Sequence, residues 1–247
     1  MKKRICAVFM CLASATAVFA LPGFGLSAGA GGVLGGHFTR YNLRASGPAA
    51  RMTAYQTTNQ FDYGLFAFFD ATFVTLGVVF QTGTNNFDES VYIDGTWNPD
   101  ESRSGQGWET VLGVSVLGKW PFRLNDRVTV FPLLGMDYLI SLLQRRSDEY
   151  GLIYNRDDGL READMEGNAF RLSDWNSFIV RLGGGMEFGL TGRLFLRGDL
   201  LYGIRLMTGW ERKNLDFMRG FSGDPSPRFD GLSSGPSVRL SAGWRLN

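Results

Sequence analysis

Beyond residue 20 the chain has no apolar run long enough to cross a membrane as a helix, yet apolar and polar residues alternate repeatedly with a period of two. That period places successive side chains on opposite faces of a β-strand. The first such segment sets Phe24, Leu26, Ala28, Ala30, Leu34 and Phe38 against Gly25, Ser27, Gly29, Gly31, Gly35 and His37. The sixth sets Phe178, Val180, Leu182, Met186 and Phe188 against Ser177, Arg181, Gly183, Gly185 and Glu187. The eighth sets Val238, Leu240, Ala242, Trp244 and Leu246 against Ser237, Arg239, Ser241, Gly243 and Arg245. Eight segments of this kind occur, each about as long as a tilted strand crossing a bilayer.

The connections alternate too. Asp70-Ala71-Thr72, Trp120 to Asp126 and Gly189 to Gly192 are short, whereas segments near 42–59, 84–106, 144–174 and 207–234 are long and polar. The pattern predicts an all-β fold: an eight-stranded antiparallel transmembrane β-barrel with short periplasmic turns and four long extracellular loops. An even strand count leaves both mature termini in the periplasm. A soluble barrel would alternate as well, and a mean hydropathy of −0.07 suits either. The aromatics decide between them. Phe24, Phe69, Trp120, Phe188 and Trp244 gather near the short turns, and Phe38, Tyr63, Phe80, Trp108 and Tyr202 near the long loops, as two interfacial girdles would.

Residues 1–20 read as a cleaved export signal: Lys2, Lys3 and Arg4 precede an apolar stretch that ends in Ala17-Val18-Phe19-Ala20. Residues 21–247 then form one barrel domain, without linkers. Cys6 and Cys11 leave with the signal, so the mature chain has no disulfide or thiolate chemistry. With 25 Lys+Arg against 24 Asp+Glu, no charge excess points to nucleic acid. His37 is the single histidine and reads as a lumen filler, so neither an enzyme, a metal site nor a cofactor is expected. Gly183-Gly184-Gly185 and the run from Gly29 to Gly36 lie within strands and read as room for facing side chains.

The alternation, the even strand count and the loop asymmetry resemble the small outer-membrane barrels typified by the OmpA transmembrane domain, OmpX and OmpW. The likeness is one of architecture and covers the whole mature chain. Such barrels commonly end in an aromatic residue, whereas this chain ends Gly243-Trp244-Arg245-Leu246-Asn247. Likeness to OmpW implies a narrow conduit or pocket for small hydrophobic molecules. Likeness to OmpX implies a surface adhesin or structural barrel whose loops bind host or lipid-anchored envelope molecules. Both imply a monomer surrounded by membrane lipid.

An eight-stranded lumen is only wide enough for side chains to fill it. Phe66, Phe68, Phe73, Phe131 and Phe195 are expected to point inward as an aromatic floor near the short turns. Arg181, Glu187, Arg197, Asp199, Arg239 and Arg245 are expected to form a lumen charge network. A hairpin centred on Gly189–Gly192 would set Arg181 opposite or diagonal to Asp199, and Glu187 diagonal to Arg197. Pro132 lacks an N–H, so a bulge or opening is expected at its position in the fifth strand.

Overall fold

The computed structural model describes residues 25–148, 151–155, 159–160, 175–206, 215–216, 219–220 and 222–246. The proposed signal segment and Phe24 lie outside these residues. Eight long strands form the wall: β1 (Leu26–Ser46), β2 (Arg51–Ala71), β3 (Val74–Ile93), β4 (Thr96–Lys119), β5 (Val128–Asp148), β6 (Ser177–Gly189), β7 (Leu194–Leu206) and β8 (Arg228–Arg245). Each pairs antiparallel with its chain neighbours, and β1 pairs with β8, so the sheet closes without a free edge. Short strands at Phe122–Arg123 and Gly151–Asn155 pair with the two ends of β5.

Closure fixes the tilt. From Ala28, successive partners are Phe69, Leu76, Val116, Met136, Val180, Ile204 and Ser234, and the circuit returns to β1 at Phe38. The circuit gains ten residues, which for eight strands of ordinary rise and spacing means a tilt of about 40°.

The outward face is apolar between two aromatic rings. Trp120, Phe188 and Trp244 mark the short-turn side, while Phe38, Tyr63, Phe80, Trp108 and Tyr202 mark the other, all well exposed. Strand tilt and rise put these rings about 25 Å apart, the height of a lipid-facing band. The chain is a membrane-spanning barrel of the kind found in bacterial outer membranes.

The wall does not stop at the upper ring. Segments 42–59 and 84–106, expected as long loops, are strand: β1 and β2 continue to Ser46 and Arg51, and β3 and β4 to Ile93 and Thr96. Above the ring the alternation inverts. On β1, Arg40 and Arg44 now point outward, while Tyr41, Leu43 and Ala45 are buried. On β2 Met52, Ala54 and the polar Gln56 are buried, and on β3 Phe87 and Val91, with Thr57, Asn86 and Asp88 outside. Lipid requires apolar side chains outside the barrel, whereas water requires them inside. The inverted part is thus a water-facing β-tower standing on the membrane-spanning wall.

A tight turn closes the tower between β3 and β4. Asp94 (φ 51°) and Gly95 (φ 82°) both occupy the left-handed region that a two-residue type I′ hairpin needs. The Asp94 side chain accepts from Arg51 N at 2.9 Å, tying this tip to β2.

Pro132 produces no bulge. The register runs unbroken through Phe131↔Gly185, Pro132↔Gly184 and Leu133↔Gly183. Trp120 N donates to Pro132 O at 3.4 Å, so the side of Pro132 that lacks a donor faces the point where β4 leaves the sheet. Few ladder bonds are lost there. The register shift on β5 lies higher, opposite Thr110 and Val111.

A β-branched side chain at φ 82° is strained, so Gly95→Val is expected to weaken the tower tip by about 1–2 kcal/mol. Hydrogen exchange should accelerate at Thr53 and Thr96 and stay unchanged at Arg181 within the membrane-spanning wall.

Candidate functional site

The lumen holds the densest chemistry in the molecule, stacked as three tiers of charge. In the tier nearest the short turns, Arg197 donates to Asp199 at 2.8 Å and to Asp70 at 2.8 Å. Lys119 also reaches Asp70, and pairs with Glu187 at 3.2 Å. Thr75 donates a short hydrogen bond to Asp70. Phe68 and Phe131 each face the Arg197 guanidinium at 4.9 Å, and Phe131 also carries Lys119 at 4.9 Å. Such cation–π contacts are strongest where, as here, the cation is out of water.

In the middle tier Asp137 accepts from two arginines, Arg181 at 2.9 Å and Arg239 at 2.9 Å. Arg181 also donates to Ser237 at 3.1 Å, and Arg239 lies 4.6 Å over the Phe66 ring. In the upper tier Arg205 holds Glu109 in a two-pronged pair, at 3.0 and 2.6 Å, and donates to Ser177 at 3.0 Å. Gln60 bridges Glu109 and Asp62, and His37 Nε2 lies 3.6 Å from Asp62. Each tier brings opposite charges together, which is the condition for burying them.

Glycines on the facing strands make the room. A Cβ on Gly185 would stand 2.3 Å from Asp199 and from the Phe131 ring, and one on Gly243 would stand 2.3 Å from the Phe195 ring. Two voids within the lumen measure about 30 and 10 Å³, far below the several hundred that a small organic ligand occupies.

The structure differs from the sequence expectation in several partners. Arg181 faces Gly203 and Asp199 faces Gly185, so Arg181 and Asp199 are not opposed. The reason is the turn: Thr191 accepts from Arg193 N and Leu194 N, which moves its centre towards β7. Glu187 lies directly opposite Arg197 but pairs with Lys119. Arg245 is half-buried, its guanidinium 5.6 Å from the Phe195 ring. Phe66, Phe68, Phe131 and Phe195 are buried together near the short turns, with Phe66 and Phe68 stacked at 5.6 Å. Phe73 is not among them. It sits in the β2–β3 turn, exposed, with its ring 6.0 Å from Trp120, and belongs to the outer ring of aromatics.

Asp70, Lys119, Glu109, Asp137 and Arg205 were not singled out by sequence reasoning. All five stand at inward positions of the alternation, Asp70 in step with Phe66 and Phe68, and that parity was the signal available. Asp70 was read as part of a turn, although β2 runs on to Ala71.

The tower end is closed as well. Leu43, Ala45, Met52, Ala54 and Val91 pack with Leu215 and Phe229, and Trp175 packs against Tyr41. The segment before β8 folds over the β1–β2 turn, where Ala49 N donates to Ser222 O at 3.2 Å and Ser46 N to Asp224 at 2.7 Å. Backbone donors from Ser46 and Ser226 hold the Asp224 carboxyl below its usual range.

No protein-family model matches this sequence, and no curated protein does. Solved structures do. The outer membrane protein OprG from Pseudomonas aeruginosa is similar at 9% identity and a TM-score of 0.46, over 90% of this chain and 96% of that one. The Yersinia pestis attachment invasion locus protein Ail, solved with the heparin analogue sucrose octasulfate, is similar at 12% identity and a TM-score of 0.30, over 90% and 99%. Neisserial surface protein A gives 15% identity and a TM-score of 0.30, over 87% and 97%.

Two measurements probe this construction. Arg205→Ala should destabilise the barrel by roughly 3–5 kcal/mol, and combining it with Glu109→Ala should cost clearly less than the two single changes added. Unfolding of the lipid-reconstituted protein by denaturant reads both values. The Asp224 carboxylate is more acidic folded than unfolded, so its contribution is complete above the ordinary carboxyl range near pH 4 and lost as the pH falls through and below it. Protease should therefore cut between Ser222 and Arg228 faster at pH 3 than at pH 6, and Asp224→Ala should remove that difference.

Proposed function

We propose that this chain is a non-enzymatic, non-conducting outer-membrane barrel that presents a rigid tower for contacts at the cell surface. The observation that carries the reading is the filled lumen. Three ion-paired tiers, four inward phenylalanines and an apolar cap occupy the described axis, and the two lumen voids between them measure about 30 and 10 Å³. A conduit for small hydrophobic molecules would need all three tiers to part, at several kcal/mol for each buried pair left uncompensated.

With the interior occupied, recognition falls to the outside. The tower's outer face offers Tyr55 and Tyr92, 6.0 Å apart edge to face, and the exposed Trp97 directly opposite Tyr92. Aromatics on a polar, rigid face outside the lipid band are suited to contacts with other molecules. In this reading residues 1–20 direct export and are removed. The short turns and both mature termini face the periplasm, and the tower faces outward as part of a monomer. Its partners are components of the envelope or of a host surface.

Planar-bilayer recording tests the central point. The reconstituted protein should show no steady single-channel conductance, and small apolar solutes should not cross liposomes containing it faster than they cross empty ones. Steady conductance or selective solute flux would favour the conduit. Protease added to intact cells should cleave within 207–227 and leave a tag in the Leu190–Arg193 turn hidden; exposure of that tag would invert the orientation.

A further inference from the structure

The lipid-facing wall is not smooth along β1. Ala28, Ala30, Gly32 and Gly36 point outward with little or no side chain, between the bulkier outward residues of β2 and β8. Two grooves result. The upper, about 570 Å³, is walled by Leu34, Phe38, Phe61, Pro236 and Val238. The lower, about 510 Å³, is walled by Leu34, Leu65, Phe80, Val238 and Leu240. They share Leu34 and Val238 and so run on as one furrow down the lipid band. At the upper ring the register between β1 and β8 also skips Gly36 and His37 themselves, beside Pro236, between the pairs Gly35↔Ser237 and Phe38↔Ser234.

Positive charge stands directly above the furrow. Continuing up the outer face of β1 beyond Phe38 come Arg40, Asn42 and Arg44, and Arg228 of β8 is paired directly opposite Arg44. Like charges in directly opposed positions repel. Among the described residues Arg40, Arg44 and Arg228 form no ion pair; Arg44 donates only to Asn42, at 3.3 Å. Two acids lie near: Asp230, opposite Asn42, and Asp224, which accepts from the amides of Ser46 and Ser226 and is attracted to Arg228 and Arg219, so three arginines stand against two carboxylates. The balance of the patch is positive, with Arg40 about 5 Å and Arg44 and Arg228 about 15 Å above Phe38 by strand rise and tilt.

An apolar furrow that ends in a patch of arginines matches an amphiphile with a hydrocarbon tail and a phosphate head. We propose that the outer face of β8, β1 and β2 binds a phosphorylated glycolipid of the outer leaflet, with one acyl chain in the furrow and a phosphate held by Arg44, Arg228 and Arg40. Guanidinium groups bind phosphate through paired, charge-assisted hydrogen bonds, and a phosphate between Arg44 and Arg228 relieves their repulsion. The choice of leaflet rests on the orientation proposed above. The preference for a phosphorylated lipid does not.

The test uses the full-length folded protein in neutral detergent, with lipid A as the probe and native mass spectrometry as the readout. Lipid A should bind saturably and its dephosphorylated form about tenfold more weakly or worse. Arg44→Gln with Arg228→Gln should weaken binding of lipid A by about tenfold or more, whereas Arg193→Gln at the short-turn end should not. Gly32→Leu fills the furrow, since a Cβ there meets nothing closer than 3.8 Å, and should also weaken binding. Heat-dependent gel mobility shows that each variant is folded. Equal binding by the variants and the parent overturns the proposal, as does binding of inorganic phosphate that lipid A fails to displace. Phosphatidylglycerol binding better than lipid A at the same arginines would overturn the outer-leaflet assignment and keep the site.

Discussion

Asp137 on β5 accepts hydrogen bonds from Arg181 on the neighbouring β6 and from Arg239 on β8, both at 2.9 Å. None of the three is exposed to water, so each is tolerable only while the others are in place. The contact with Arg239 depends on closure, because β5 and β8 are not neighbours in the ring. Closure in turn depends on the ten-residue stagger that brings these three positions to one height. Arg197 with Asp70, and Arg205 with Glu109, repeat the device below and above. The phenylalanines and glycines are arranged around it. Rings lie against the cations, and glycines stand where a Cβ would meet a ring or a carboxylate.

The same strands answer to two solvents. Along β1 the outward residues pass from Leu34 and Phe38 to Arg40 and Arg44, and the inward ones from Ser27 and His37 to Leu43 and Ala45. β1 runs through the crossing as one strand. What changes is the medium, because hydrocarbon cannot satisfy polar groups outside the wall, and above the lipid water drives the apolar groups inside. A tower of continuous strand hydrogen-bonds its own backbone and stands more rigidly than loops of equal length. That rigidity suits the Tyr55, Tyr92 and Trp97 face to recognition.

A filled interior and a patterned exterior shift attention from transport to surfaces. The voids inside the lumen are far smaller than the furrow outside it. Both arise from where side chains are small. Inside, glycines face large partners and the space is used. On the outward face of β1 no protein group fills the space that Gly32 leaves.

Strand parity, the eight segments, the closed antiparallel class and the two aromatic rings were legible in the order of residues, because each depends only on a period of two and on which residues tolerate lipid. The tower was not. A lipid-facing strand shows apolar residues outward, and above the upper ring the apolar residues face inward, so 42–59 and 84–106 read as loops despite Asp94-Gly95, a hairpin signal in its own right. Phe73 shows the limit of parity at a turn, where alternation no longer assigns a face. Which arginine meets which carboxylate was decided by the tertiary structure alone. Inward positions follow from local alternation, whereas the partner of Arg181 follows from the β6–β7 turn and from the stagger of the whole ring, and no local segment contains the stagger.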